Sequence, residues 1–337
     1  MPLNNKKKKL LKIIDNFSQK KIVVWGDYIL DEYVYGHTCR ISREAPVLIL
    51  SYKNNTFSLG GAGNSLLNLK ALGAFPIPVG VVGTNKTGKE ALKIIENYGI
   101  PSKYLIKESQ YQTPTKTRIF AGEEGTTKQQ ILRIDKESRV PDTKKINNSI
   151  QKALVNSTQK ADAVLVSDYN YFTVKKDIYD ERLPRFKQAG IFVAVDSRFR
   201  LLEFNNSTIS TPNENEAKKA LGIDTYNDIG SPEEVGEKLL EKTGSDSILL
   251  TRGSKGMMLF QKGKRSFNID IFGTDEIVDV TGAGDTVISV LTLALSAGAG
   301  LENAALIANY AAGIVVMKKG TATVSIEELK EAIVSKN

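Results

Sequence analysis

Short apolar runs of strand type, each followed by a helical pattern, recur along most of this chain, and that rhythm leaves few folds open. Residues 22–25 (Ile-Val-Val-Trp) read as a buried strand ending at Gly26-Asp27. Residues 65–72 predict a helix, 79–82 a strand and 90–98 a helix. Strands follow at 163–167, 191–196 and 248–251, with a helix running through Phe186 and two long helices over 283–295 and 302–317. Apolar strands alternating with helices imply a mostly parallel sheet covered on both faces. Two stretches, 46–53 and 113–133, break the rhythm and look extended; the second holds the turn-rich Gly122-Glu123-Glu124-Gly125. Antiparallel strands projecting as a lid explain both. No repeat or linker divides the 337 residues. They predict one α/β domain over 21–337, with lid strands from about 34–58 and 111–135.

Charge and composition then exclude several function classes. The net charge of +8 points at first to nucleic acid, but six lysines against one acid, Asp15, fall within residues 1–20. Leu10, Ile13, Ile14 and Phe17 recur there at helical spacing, so this segment predicts an amphipathic helix docked on the body with solvated lysines. Attraction to RNA or anionic lipid is the other reading of the same tail. A single Cys39 and a single His37 rule out an internal disulfide and a zinc site of several Cys and His ligands. No apolar run approaches a membrane span and no signal-type stretch follows the basic start, so the expected location is the cytoplasm.

The strongest chemical signal is Asp279-Val280-Thr281-Gly282-Ala283-Gly284-Asp285-Thr286, followed by an unbroken apolar helix. Small residues permit close backbone approach, and the helix aims free N–H groups and its positive end at whatever lies there. Asp285, in the first turn, stands where a carboxylate could take a proton from a hydroxyl during phosphoryl transfer. A glycine turn with Asp285 as a helix cap accounts for the same residues. Spacing alone leaves both readings open.

This octet, together with Gly60-Gly61-Ala62-Gly63-Asn64, resembles the two signatures of the ribokinase-like, pfkB-type carbohydrate kinases, over about residue 20 to the C-terminus. Gly26-Asp27-Tyr28-Ile29-Leu30-Asp31-Glu32-Tyr33, Arg40-Ile41-Ser42-Arg43, Gln129-Gln130-Ile131-Leu132-Arg133, Ser167-Asp168-Tyr169 and Thr211-Pro212-Asn213-Glu214-Asn215-Glu216 add to the likeness and favour the heptose 7-phosphate kinase branch. The resemblance implies a three-layer α/β/α fold, ATP and Mg²⁺ as cofactors with room for a monovalent cation, and Asp285 as catalytic base. It makes Gly282, Ala283 and Gly284 the anion hole. Asp31, Gly60, Gly61, Asn64 and Asp168 become sugar-binding residues. Asn213, Glu216, Thr251, Arg252, Gly253, Gly256 and Asn309 become nucleotide-binding, with Glu216 near magnesium through water. Without the family, Asn213 and Glu216 read as a helix capping box. A phosphosugar substrate needs a second cationic pocket, for which Lys116, Arg118 and Arg133, with Arg40 and Arg43, are the candidates.

Departures from the family pattern bear on the substrate. Tyr171-Phe172 stands where a Lys-Gly pair is expected, Asp196-Ser197-Arg198 replaces Asp-Pro-Lys, and Gly63 and Ser65 alter the glycine signature. Gly83-Thr84-Asn85-Lys86-Thr87-Gly88-Lys89-Glu90 nearly matches a P-loop, but Glu90 would repel phosphate, so it reads as a loop entering a helix. His37 and Cys39 carry no expected role. The expected activity is ATP-dependent phosphorylation of a heptose phosphate by a homodimer joined through the lid, with a small-molecule sugar partner and neither nucleic acid nor membrane insertion. The chain length predicts no nucleotidyltransferase half of the kind that bifunctional relatives carry. A kinase of the fructose phosphate or ribose type, or a non-catalytic sugar or nucleotide sensor, are the alternatives.

Overall fold

The structure, a computed structural model, describes residues 5–122, 128–223, 230–273 and 278–335. Glu123, Glu124 and Gly125 of the lid turn lie outside the described residues. The strands run β1 (Lys21–Gly26), β2 (Tyr28–Ile41), β3 (Leu48–Gly61), β4 (Phe75–Gly83), β5 (Leu105–Glu108), β6 (Thr115–Gly122) and β7 (Gln129–Lys136), then β8 (Ala163–Asp168), β9 (Phe192–Ser197), β10 (Ile209–Ser210), β11 (Ser247–Thr251), β12 (Met257–Gln261) and β13 (Phe267–Ile269). One sheet has the order β13-β12-β11-β10-β9-β8-β1-β4-β5, parallel from β5 to β11 and antiparallel over the last two pairings.

Apolar residues on both sides of each central strand explain this placement. In β1, Ile22 and Val24 enter one core while Val23 and Trp25 enter the other, the period of two that a strand imposes. In β8, Ala163 and Leu165 join the first core and Val164 and Val166 the second. Register pairs Ile22 with Ala163 and Val24 with Leu165, so the alternation stays in phase across the sheet. Helices Ala62–Ala71, Ala283–Ser296 and Leu301–Val315 cover one face, and Lys144–Thr158, Lys176–Gln188 and Pro232–Thr243 the other.

The lid is a separate four-stranded sheet in the order β3-β2-β6-β7. It reaches back to Tyr28 and Gly61, where β2 and β3 are still paired, and on to Lys136, beyond the spans read from the sequence. His37 and Cys39 lie within β2, inside the lid span read from the sequence. The near-P-loop stretch is a turn into the helix Lys86–Asn97, capped by Asn85, whose side chain accepts from the Gly88 N–H at 3.3 Å. The N-terminal helix Asn5–Asp15 packs on the C-terminal helix Ile326–Ser335, with Lys330 Nζ 2.6 Å from Asp15. Leu10, Ile14 and Phe17 are buried there, while Lys6, Lys8, Lys9 and Lys12 stay exposed.

Phe17 is fully buried in the first core. Phe17→Ala is expected to lower unfolding stability by about 3–5 kcal/mol through the cavity it leaves. Urea unfolding checks this; a loss below about 1 kcal/mol would show that the N-terminal segment is not anchored as described.

Candidate active site

Parallel strands end on the same side of a sheet, so the residues just past their carboxyl ends converge. Here β1 hands over to Asp27, β8 ends at Asp168, β9 at Ser197, β10 at Ser210 and β11 at Thr251. Past these ends lies a cavity of about 470 Å³. The lid contributes Ile29, Asp31 and Gly60 to it, the strand ends Tyr169, Asp196, Arg198 and Thr251, and the glycine turn Gly282, Gly284 and Asp285.

Asp285 is 3% exposed, on the first turn of the helix Ala283–Ser296. Its carboxylate accepts from Asn64 Nδ2 and from the Tyr169 hydroxyl, each at 3.0 Å. Burial pushes it up to about 7, against the downward pull of those two donors. Asn64 is fully buried and does not reach the cavity. Its amide also meets the Gly282 carbonyl at 3.3 Å, and its Oδ1 accepts from Asn68 Nδ2 at 3.2 Å. Asn64 therefore faces the carboxylate rather than a sugar hydroxyl.

The glycine turn has the geometry that its sequence requires. Gly282 sits at φ 80°, in the left-handed region that favours glycine. Among the described residues the N–H groups of Gly284 and Asp285 have no acceptor, whereas Ala283 donates to the Val280 carbonyl at 3.2 Å. Of the three residues expected to form an anion hole, Ala283 is thus already committed. Gly284 lines the cavity and keeps its donor free, and the Asp285 N–H joins it.

The remaining expected residues divide. Asp31 is 3% exposed and paired with Arg118; burial raises its carboxyl while the guanidinium pulls it down. Asn213 and Glu216 form a reciprocal capping box at 3.0 and 2.9 Å, and both line the cavity, so the capping and site readings hold together. Arg252, Gly253 and Gly256 form the β11–β12 connection outside the cavity lining, with Arg252 N–H on the Gly256 carbonyl at 2.9 Å. Asn309 is buried with its amide on the Asp270 carbonyl at 2.9 Å, so it fastens the chain after β13. Asp168 is fully buried, held by Ser197 Oγ at 2.7 Å and by the Arg200 guanidinium, and contributes nothing to the cavity.

Among the lining residues given no site role from the sequence, three carry ionisable side chains: Tyr169, Asp196 and Arg198. Each stands at or just past the end of a parallel strand, and that position was the available signal. Burial, then the charges of Glu216 and Asp285, push Asp196 well above the carboxylate range, and burial raises Glu216 too. Two hard-oxygen side chains raised in this way suit a shared divalent cation. Among the described residues no cluster of three ligating side chains accompanies them.

A second cavity, also about 470 Å³, adjoins the first and shares Lys116, Arg133, Tyr169 and Arg198 with it. Arg139 and Tyr171 line it too, as do the acids Asp135 and Glu137, so four cations face two carboxylates there. Lys116 and Arg133 both reach Asp135, at 3.2 and 2.8 Å. Arg118 is committed to Asp31, and Arg40 and Arg43 are exposed on the lid and line neither cavity.

The Asp285 carboxyl holds its proton more tightly folded than unfolded, so folding is favoured below about pH 4 relative to high pH, and that advantage is lost as pH rises to about 7. Asp285→Asn should remove this fall and be roughly 2–4 kcal/mol more stable than the native chain at pH 8, with little difference at pH 4. Melting curves of both proteins across this range test it, and parallel profiles would contradict the raised carboxyl.

The pfkB family carbohydrate kinase pattern matches residues 19–329. The chain is 39% identical over 315 residues to the bifunctional protein HldE of Desulfatibacillum aliphaticivorans, covering 93% of this chain and 63% of that protein. It is 36% identical to the HldE of Paramagnetospirillum magneticum, covering 96% and 65%. The chain thus spans a little under two thirds of those relatives. Among solved structures it is similar to Arabidopsis thaliana ribokinase complexed with ribose and ATP (TM-score 0.67, 20% identity, 93% and 98% covered). It is also similar to Escherichia coli phosphofructokinase-2 in complex with potassium (TM-score 0.71, 14% identity, 94% and 98% covered). These two establish the fold. The profile match and the relatives establish more: this chain belongs to the pfkB family of carbohydrate kinases, phosphotransferases that act on a sugar hydroxyl.

Proposed function

We propose that the chain transfers the γ-phosphoryl group of ATP to the anomeric hydroxyl of D-glycero-D-manno-heptose 7-phosphate, giving the 1,7-bisphosphate used in lipopolysaccharide-core heptose synthesis. The observation that carries the chemistry is the buried Asp285 carboxylate, raised to about 7, beside the unpaired N–H of Gly284. A base titrating near neutrality accepts a hydroxyl proton without being permanently protonated. As the new O–P bond forms, Asp285 takes that proton, ADP leaves, and the turn's N–H groups stabilise the charge on the transferred group. Mg²⁺, near Asp196 and Glu216, would supply charge neutralisation for the nucleotide phosphates.

The phosphosugar assignment rests on the adjoining cationic cavity. Arg198 lies in both cavities, and Arg139, Arg133 and Lys116 stand around the second. A sugar with its reacting hydroxyl at Asp285 would extend its far phosphate toward these side chains, where guanidinium groups can bind it bidentately. The names of the relatives, HldE, agree with a heptose phosphate. A homodimer through the lid is part of this reading, since Ile41, Leu48, Tyr52, Leu132 and Ile134 of the lid strands are exposed. The cytoplasm, which holds ATP and sugar phosphates, is the location it requires.

ADP release measured over a panel of sugars and sugar phosphates should give turnover with the heptose 7-phosphate. Activity confined to unphosphorylated sugars would overturn the assignment. Asp285→Asn should lower kcat by about 10²–10⁴ with ATP affinity unchanged, the range for loss of a general base. Arg198→Ala should raise KM for the phosphosugar about tenfold or more while leaving KM for ATP nearly constant, as expected for a charged contact to the far phosphate.

A further inference from the structure

Asp27 is the one residue between β1 of the main sheet and β2 of the lid, and it is fully buried. Its carboxylate accepts three backbone N–H groups from a single loop: Tyr169 at 2.8 Å, Tyr171 at 3.0 Å and Thr173 at 3.1 Å. Its main chain is tied as well. The Asp27 N–H donates to the Ser167 carbonyl at 3.0 Å, and its carbonyl accepts from the Ala62 N–H at 3.1 Å. Ala62 opens the helix that carries Asn64, and Ser167 belongs to the strand that leads to Tyr169. Both hydrogen-bond partners of Asp285 therefore depend on elements that meet at Asp27.

The loop needs such a hold. Asn170 and Phe172 both adopt left-handed backbone, at φ 66° and 68°, which side-chain-bearing residues enter at a cost. Their intervening N–H groups would be left without acceptors if the carboxylate were removed. The Phe172 ring is gripped from outside by Arg139 at 5.0 Å, Arg200 at 4.7 Å and Lys175 at 5.7 Å. The product of this arrangement is a fixed Tyr169 hydroxyl, 3.0 Å from Asp285.

We propose that Asp27 is a positioning residue for the reaction: by collecting the N–H groups of residues 169, 171 and 173, its carboxylate holds the Tyr169 hydroxyl against Asp285. Asp27 touches neither the cavity nor, on this reading, the substrate. Its effect on turnover passes through Tyr169. The catalytic consequence rests on the assignment of Asp285 as base, whereas the clamp itself does not.

The test uses the full chain, labelled with ¹³C at the aspartate carboxyls and titrated by NMR without substrate, the Asp285 signal being the one lost in Asp285→Asn. Tyr169 lowers the Asp285 midpoint, so Tyr169→Phe should raise it by about 0.5–1 unit. Asp27→Asn should raise it by a similar amount, and Asp27→Asn combined with Tyr169→Phe by no more than either alone. Steady-state ADP release with heptose 7-phosphate should show kcat of Asp27→Asn down about tenfold with KM for ATP unchanged, and again no further loss in the double variant. Phe172→Gly, which loosens the loop without touching Asp27, should shift the midpoint in the same direction and serves if Asp27→Asn does not fold. An unmoved midpoint in the folded variants, or additive effects of Asp27→Asn and Tyr169→Phe, would overturn the proposal. Full turnover by Asp285→Asn would sink the base assignment alone, while a raised midpoint in Asp27→Asn would still support the clamp.

Discussion

A buried carboxylate at the edge of a cavity, with two side-chain donors among the described residues to replace its hydration, is the constraint around which this molecule is arranged. Each donor to Asp285 comes from a different element, Asn64 from the helix after the lid hairpin and Tyr169 from the loop after β8. Hydrogen bonds to a charged group contribute about 1.5–3 kcal/mol each, less than the desolvation of a buried ion. The shortfall is visible as the rise to about 7. A site with more donors would hold a carboxylate ionised but make it a poor proton acceptor. The incomplete compensation leaves the Asp285 carboxyl raised, so the placement of its two donors sets how far it rises.

Charge around the site is distributed with a similar asymmetry. The lid cations are partly neutralised before any ligand arrives: Arg118 by Asp31, and Lys116 and Arg133 by Asp135. Arg198, rising from the end of β9, has no ion-pair partner among the described residues and faces both cavities. Asp135 already holds Lys116 and Arg133, whereas Arg198 pulls the Glu216 and Asp285 carboxyls down without forming an ion pair among the described residues. Asp196 and Glu216 repel each other, and neither has an ion-pair partner among the described residues.

The main sheet was legible in the sequence because strands buried on both faces read as continuous apolar runs, as at 22–25 and 163–167. The glycine turn before Asp285 was legible because only glycine enters the left-handed region at low cost, as Gly282 does. The lid's extent was harder to read: only Asp27 separates β1 from β2, and Tyr28-Ile29-Leu30 continues the buried apolar run, so the passage from one sheet to the other leaves no change of pattern. The loop over 169–173 was invisible for a related reason, since Asn170 and Phe172 take left-handed backbone without the glycine that would announce it. Asn64 and Asn309 show the opposite error. An amide can serve a ligand or a neighbour equally well, and composition cannot say that Asn64 meets Asp285 or that Asn309 meets the Asp270 carbonyl.

The departures at 171–172 and 196–198 form one rearrangement when their surroundings are considered together. Phe172 gives up glycine's freedom at φ 68°, and the ring that replaces it is surrounded by Arg139, Arg200 and Lys175. Tyr171 replaces a cation with a hydroxyl that donates to Glu137 at 3.0 Å on the wall of the second cavity. The positive charge missing at 171 is present nearby in Arg139 and Arg198, on the same cavity. An anion-binding pocket depends on the number and placement of its cations more than on which strand end supplies them. Cations at four positions still line the cavity, and the ring in the loop beside Asp285 is held by three cations. The hold at this point bears directly on Tyr169, three residues before Phe172, and through it on the only hydroxyl that meets the Asp285 carboxylate among the described residues.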